Sequence, residues 1–144
     1  MKDKLIVGWK ESLDLPELGI FNFEAKVDTG AGSSVLHCES YEIKIIDNQK
    51  WIVCHIIINF KTQELRIFQF PVYKEKIVKS SFGHKEKRYY ILTKAKLYNQ
   101  LFDIKLSFRD RSSMRYPMLL GKSFLSKKFI VDVSRSNVSQ KSIG

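Results

Sequence analysis

The sequence predicts an all-β protein folded as a small closed barrel with one short late helix. Three observations lead there. Apolar residues recur with period two over several separate stretches. Short polar turns divide those stretches, as in hairpin-connected strands. A single late segment, "KSFLSKKF", breaks the alternation and has helical spacing instead. The chain has 144 residues, 44% of them hydrophobic, and no internal linker rich in Pro, Gly or Ser. One domain spanning residues 1–144 is therefore expected.

In chain order, Phe21, Phe23, Ala25 and Val27 alternate with Asn22, Glu24, Lys26 and Asp28, the pattern of a strand with one buried face. Tyr41, Ile43 and Ile45 begin a second strand, and residues 47–50 turn it into "WIVCHIII". That run is rich in β-branched residues and is expected to be buried on both faces. "ELRIFQFPV" follows, with Pro71 marking its end or an edge. Tyr89, Ile91, Thr93, Ala95 and Leu97 share one side of the next strand. Residues 99–100 turn it into "LFDIKLSF", where Phe102, Ile104, Leu106 and Phe108 point together. After "YPMLLG", Ser123 is the expected N-cap of the helix. The polar end, residues 133–144, is expected to fray.

Charge is distributed unevenly. Residues 1–72 carry 8 Lys and Arg against 10 Asp and Glu, whereas residues 73–144 carry 17 against 5. A basic half favours an anionic partner. No stretch approaches the ~20 apolar residues of a membrane span, and no nucleic-acid-binding motif is present. Neither a membrane nor a nucleic acid is the expected partner, and a basic face that is simply solvated is the other reading of this charge. Cys38 and Cys54 form no disulfide framework, and the opening residues lack a secretory pattern, so a cytoplasmic protein with free thiols is expected.

The chemistry-bearing stretch is Asp28-Thr29-Gly30-Ala31, where the chain leaves a strand. Gly30 would allow a positive φ or a close backbone approach, and Thr29 supplies a hydroxyl. A bare D-T-G is also an ordinary Asx turn. The later segment "MRYPMLLGKSFL" reads as an apolar strand, a glycine and a short helix. Together, "FEAKVDTGA" and "PMLLGKSFL" resemble the two halves of the retropepsin-like aspartic protease fold. The resemblance is closer to a bacterial branch with similar stretches at "VGWKESLDLPELGI", "GHKEKRYYI" and "FRDRSSMRYPMLLGKSFLSKKFIVD", and it covers roughly residues 5–133. Members of that branch are commonly labelled ATP-dependent zinc proteases and are found beside ATP-grasp ligases that add glutamate to a ribosomal protein.

That resemblance implies a catalytic role for Asp28, Thr29 and Gly30, with Ala31 and Gly32 beside the substrate and Leu120, Gly121 and Lys122 supporting the loop. It also implies a flap, whose tip falls on Ser81, Phe82, Gly83 and His84. Arg111 and Arg115 are placed near the cleft mouth, where guanidiniums suit an acidic substrate. Gly32 and Lys122 occupy positions where relatives usually carry arginine. An aspartic protease needs two close carboxylates sharing a proton. The chain holds one D-T-G, so a homodimer is expected.

The residues do not match the zinc and ATP label. His37, His55 and His84 are isolated, and HExxH, C-x-x-C and a phosphate-binding glycine loop are all missing. No metal or other cofactor is expected. The functional expectation is a homodimeric aspartic peptidase acting on a peptide or protein substrate, acidic in character. The alternative is a non-catalytic partner of a glutamate ligase or of a ribosomal component.

Overall fold

The computed structural model describes residues 3–59, 61–79, 82–109 and 115–141. The chain opens with β1 (Leu5–Val7) and β2 (Lys10–Leu15), then a 3-10 turn at Pro16–Leu18 that Gly19 closes in the left-handed region, at φ 65°. β3 (Ile20–Val27) leads into the Asp28 loop, and β4 (Ser34–His37) leaves it. β5 (Ser40–Ile46), β6 (Gln49–Asn59) and β7 (Glu64–Pro71) form a separate three-stranded antiparallel sheet. β8 (Lys74–Lys79), β9 (Lys85–Leu97) and β10 (Gln100–Arg109) follow as consecutive hairpins. β11 (Met118–Leu120), α1 (Lys122–Leu125), β12 (Phe129–Val131) and α2 (Val138–Lys141) complete the chain.

The strand order β10-β4-β11-β3-β2-β9 closes on itself because β9 also pairs with β10. The result is the expected all-β barrel of six strands. Its seam is thin: β2 meets β9 through the single pair Asp14 and Lys96. β9 has two uses. Its second half, Tyr90 to Leu97, pairs with β10 in the barrel wall, while Lys85 to Tyr90 pair with β8 in a projecting hairpin.

Two-residue turns set the registers. Asp47 and Asn48, at φ 50° and 65°, join β5 to β6. Tyr98 and Asn99, at φ 55° and 58°, join β9 to β10, one residue earlier than expected. Successive positive φ values at both central positions match the right-handed twist of the flanking strands.

Alternation places Leu13, Leu15, Phe23, Ala25, Ile91, Ala95, Ile104 and Leu106 inside the barrel, each of them buried. Ile52, Cys54 and Ile56 from β6 belong to the same core, so the three-stranded sheet packs on the barrel. Phe102, Phe124 and Phe129 meet with centroids 5.3–6.0 Å apart and pin α1 against β10 and β12.

Phe21 departs from its expected face and is 62% exposed. Asn22 adopts φ 53° opposite a register shift in β2, and its N–H donates to Asp14 Oδ1 at 2.9 Å. The irregularity reverses the facing of residues before it, so Ile20 is buried in place of Phe21.

Two helical expectations need correction. Gly121, not Ser123, is the N-cap of α1, and Ser123 lies inside the helix. The segment expected to fray is held over residues 137–139. Glu11 is fully buried and accepts hydrogen bonds from Gly8 N (2.8 Å), Val138 N (2.9 Å), Ser139 N (3.1 Å) and Ser139 Oγ (2.6 Å). A buried carboxylate satisfied by four donors replaces water at the start of α2. Nothing in the polar tail sequence announces this, because the anchor lies 127 positions away.

Candidate active site

β3 runs parallel to β11, and β11 lies between β3 and β4. The later strand is thereby threaded under the loop that joins the two earlier ones. Asp28 N donates to Leu120 O at 2.9 Å, so the loop begins tied to β11. Lys122 N donates to Ala31 O at 2.8 Å and Ser123 N to Gly32 O at 3.0 Å, which ties its far side to the first turn of α1. Gly121 N donates to Ser34 Oγ at 3.0 Å, and Ser107 Oγ reaches Ser34 O at 3.3 Å. Backbone groups from residues 120–123 thus pair with the backbone of Asp28, Ala31 and Gly32 and with the Ser34 hydroxyl, far away in sequence.

Gly121 must be glycine for a steric reason. A β-carbon there would stand 2.5 Å from the carbonyl carbon and oxygen of Ser33 and 2.9 Å from Ala31 O. Gly30 and Gly32 are different. Among the described residues, a β-carbon on Gly30 would meet only Asp28 Oδ1, at 3.4 Å, and one on Gly32 would meet nothing within 4 Å. Neither appears among the residues with positive φ. The close approach expected at Gly30 therefore does not arise within one chain.

Asp28 is half-buried, Thr29 and Gly30 are exposed, and Ala31 is half-buried. Asp28 Oδ1 accepts from Gly30 N at 3.1 Å, and Ala31 N donates to Asp28 O at 3.2 Å. One carboxylate oxygen is oriented by the backbone of its own turn. Thr29 borders a shallow dimple of about 260 Å³, lined also by Lys122, Leu125, Ser126, Phe129 and Val131.

On the other side of the loop, Gly32 and Ser33 form one wall of a cleft of about 340 Å³. Ser123 and Lys105 extend that wall, and Lys74, Lys76, Val78, Arg88 and Tyr90 of the β8–β9 hairpin face it. Lys74, Lys76, Val78, Arg88, Lys105, Ser33 and Ser34 were not singled out from the sequence. The signal was available in "KEKIVK", where Lys74 and Lys76 alternate with Glu75 and Ile77 and so share one strand face.

Phe82, Gly83 and His84 fall at the tip of the β8–β9 hairpin; Gly83 takes φ 83° and Phe82 is 87% exposed. Ser81 and Arg111 lie outside the described residues. Arg115 is exposed and borders a different cleft, with Trp9, Lys26, Tyr116 and Leu119.

His37 is buried, with Nε2 3.3 Å from Glu39 Oε1, and His55 lies on β6. Among the described residues, no three His, Cys, Asp or Glu side chains converge as a metal site would require. Nor is any helix among them long and apolar enough to cross a membrane.

A family model described as RimB-like, for the retropepsin-like aspartic endopeptidase RimB, matches residues 6–142. A protein of Desulfotalea psychrophila named probable alpha-L-glutamate ligase is 33% identical over 152 residues, which is 98% of this chain and 32% of the relative. A Shewanella pealeana protein of the same name is 34% identical over 136 residues, covering 93% of this chain and 30% of the relative. The chain spans about a third of the length of these curated relatives. In the crystal structure of a Legionella pneumophila protein of unknown function, the same fold recurs with a TM-score of 0.76 and 21% identity, over 95% of this chain and 99% of that one.

Proposed function

Since the chain belongs to the RimB-like family of retropepsin-like aspartic endopeptidases, we propose that it is a peptidase that works as a homodimer, with one Asp28 from each protomer. The observation that carries this reading is the stitched loop: residues 120–123 hold Asp28 at the barrel surface with its carboxylate oriented by Gly30 N–H. An Asx turn serving only its own strand needs no such second-half support.

Two carboxylates facing each other across a two-fold axis cannot both ionise at close range, so they share one proton. The ionised member takes a proton from a water molecule as its oxygen attacks the scissile carbonyl carbon. The protonated member gives its proton to the carbonyl oxygen. Collapse of the tetrahedral diol breaks the C–N bond as the leaving nitrogen is protonated, and the dyad again holds one proton. Gly32 supports the dimeric reading, since among the described residues the room it leaves is used by nothing in its own chain. Thr29 and its bordering dimple, with Leu125, Phe129 and Val131, offer a partner loop somewhere to seat. The β8–β9 hairpin is the lid in this scheme, with Phe82, Gly83 and His84 at its tip. The basic second half and the relatives' ligase names favour acidic, glutamate-rich substrates. Cys38 and Cys54 are thiols and not disulfide-bonded, which fits a reducing cytoplasm.

The test is Asp28→Asn, which keeps the shape of the turn and removes the acid. Hydrolysis of a glutamate-rich peptide by the wild-type chain and its abolition in this variant, together with a dimer in sedimentation velocity, are the expected results. A chain that stays monomeric while cleaving would defeat the shared-proton scheme. One observation favours a second reading, a non-catalytic unit that regulates a glutamate ligase. Nearly the whole chain aligns with about a third of proteins named as such ligases. An effect on ligase activity that survives Asp28→Asn would support that reading.

A further inference from the structure

The cleft that Arg115 borders shares no lining residue with the one beside Gly32 and Ser33. Its volume is about 300 Å³, and Trp9, Lys26, Arg115, Tyr116 and Leu119 line it. The peptidase scheme uses none of these side chains. The sheet sets their places. Lys26 of β3 pairs with Lys10 of β2 on one side and with Leu119 of β11 on the other, so the three form a row on one face. Trp9 precedes β2, and Tyr116 comes from the segment just before β11.

Two features of the cleft call for a ligand. The first is charge. Lysines directly opposite each other on neighbouring strands repel. Glu24 answers Lys10, at 3.0 Å. Among the described residues, no ion pair is found for Lys26 or Arg115, and no carboxylate lines the cleft. The second is aromatic surface. Trp9 is 37% exposed, and Tyr116 stands edge-on to it, with centroids 6.2 Å apart and planes at 82°. Lys10 Nζ lies 5.4 Å from the centre of the Trp9 ring. The two rings make a corner that a flat molecule can enter with its face on one and its edge on the other. An aliphatic carboxylate would satisfy the cations and leave that corner wet.

We propose that this cleft binds a nucleotide, with its base in the Trp9–Tyr116 corner and its phosphate between Lys26 and Arg115. Aromatic rings that stack a base, beside cations that take the phosphate, are the chemistry by which proteins hold unpaired nucleotides. The volume lies at the lower end of small-molecule sites, in keeping with a single nucleotide. The same chemistry serves a free mononucleotide or one unit of a single strand. No linear motif announces it, because the two rings are more than a hundred positions apart. The site does not involve Asp28 and stands whether or not the chain hydrolyses peptides.

The chain has two tryptophans, so Trp51→Phe leaves Trp9 as the one reporter. Adenosine monophosphate titrated into this variant is expected to quench Trp9 emission to saturation, with weaker binding at high salt. Adenosine lacks the phosphate and ribose 5-phosphate lacks the base, and each, as a competitor, should bind at least about tenfold more weakly. Lys26→Gln together with Arg115→Gln should weaken binding of the monophosphate by at least about tenfold while the melting temperature holds. Lys44→Gln together with Lys61→Gln, an equal loss of charge at the three-stranded sheet, should leave binding nearly unchanged. Hexaadenylate identifies the source, and either result upholds the site. Binding no tighter than that of the monophosphate means a free nucleotide, and far tighter, steeply salt-dependent binding means a strand. Emission that the monophosphate leaves unchanged would overturn the proposal. So would ribose 5-phosphate binding as well as the monophosphate, an equal loss in the control pair, or tighter binding of phenyl phosphate or a glutamate oligopeptide.

Discussion

The carbonyl of Ser33 occupies the space that a side chain on Gly121 would need, so that the two residues fit only while one of them has no β-carbon. Gly121→Ala must push β11 and the Asp28 loop apart. Overpacking of this kind costs roughly 1–3 kcal/mol. The expected outcome is a lower denaturation midpoint and a greater loss of activity than that stability change explains. Gly32→Ala, with nothing within 4 Å, should change stability by less than about 0.5 kcal/mol. Urea titrations of the two variants check the contrast.

Ser34 is buried and takes the hydrogen bond of Gly121 N at 3.0 Å. Ser34→Ala leaves that N–H without its acceptor, at a cost of roughly 1–3 kcal/mol. Because Gly121 is the hinge between β11 and α1, faster amide exchange at residues 120–123 should accompany the loss. Unchanged exchange there would argue that water replaces the hydroxyl.

Glu11→Ala removes one acceptor group from four donors at once, three of them backbone N–H groups. A destabilisation of about 3 kcal/mol or more is expected, since each buried donor left unpaired costs roughly 1–3 kcal/mol and water relieves only part. Limited proteolysis should then cut near Val138 in the variant and spare that site in the wild-type chain.

Burial pushes the Cys54 thiol up to about 12, with the neighbouring Cys38 adding to the effect. Iodoacetamide should leave the native chain unmodified and label it after denaturation. The same shift sets an alkaline limit. Above the ordinary thiol value of about 8.5 the unfolded chain releases a proton that the folded chain keeps, so stability falls as pH rises towards about 12. Thermal melts across that window check the sign.

At the acid end, Lys50 holds Glu75 below the ordinary carboxylate range, Lys94 does the same to Asp103, and Ser134 hydrogen bonds do so for Asp132. Depressed carboxylates stabilise the fold above their unfolded value and lose that contribution as pH falls through the folded one. The melting temperature should therefore be flat near neutrality and decline below about pH 4. Asp132→Asn should remove part of the decline.

Most of the barrel was legible because period-two alternation reports a buried face directly, as in Ile91 to Leu97 and Ile104 to Phe108. Phe21 was misread because a single left-handed Asn22 reverses the facing of the strand without leaving a trace in the hydrophobic pattern. The Asp28 loop and the residue 120–123 segment could be singled out as a pair, and the structure hydrogen-bonds the two together. The cationic cleft was not, because its walls come from β8, β9 and β10 and meet only after the hairpin folds back. Exposed lysines on a strand look alike whether they face a ligand or bulk water. Glu11 was invisible for a related reason: a lone acid in an alternating strand does not say that three of its four donors lie beyond residue 130.

The threading of β11 between β3 and β4 has a consequence for how the protein is made. More than ninety residues separate Asp28 from the backbone that props it, and long-range closures of this kind form slowly. A nascent chain still on the ribosome has the aspartate long before it has the strand beneath it. Whatever the Asp28 loop does, it can do only once the second half has emerged to support it.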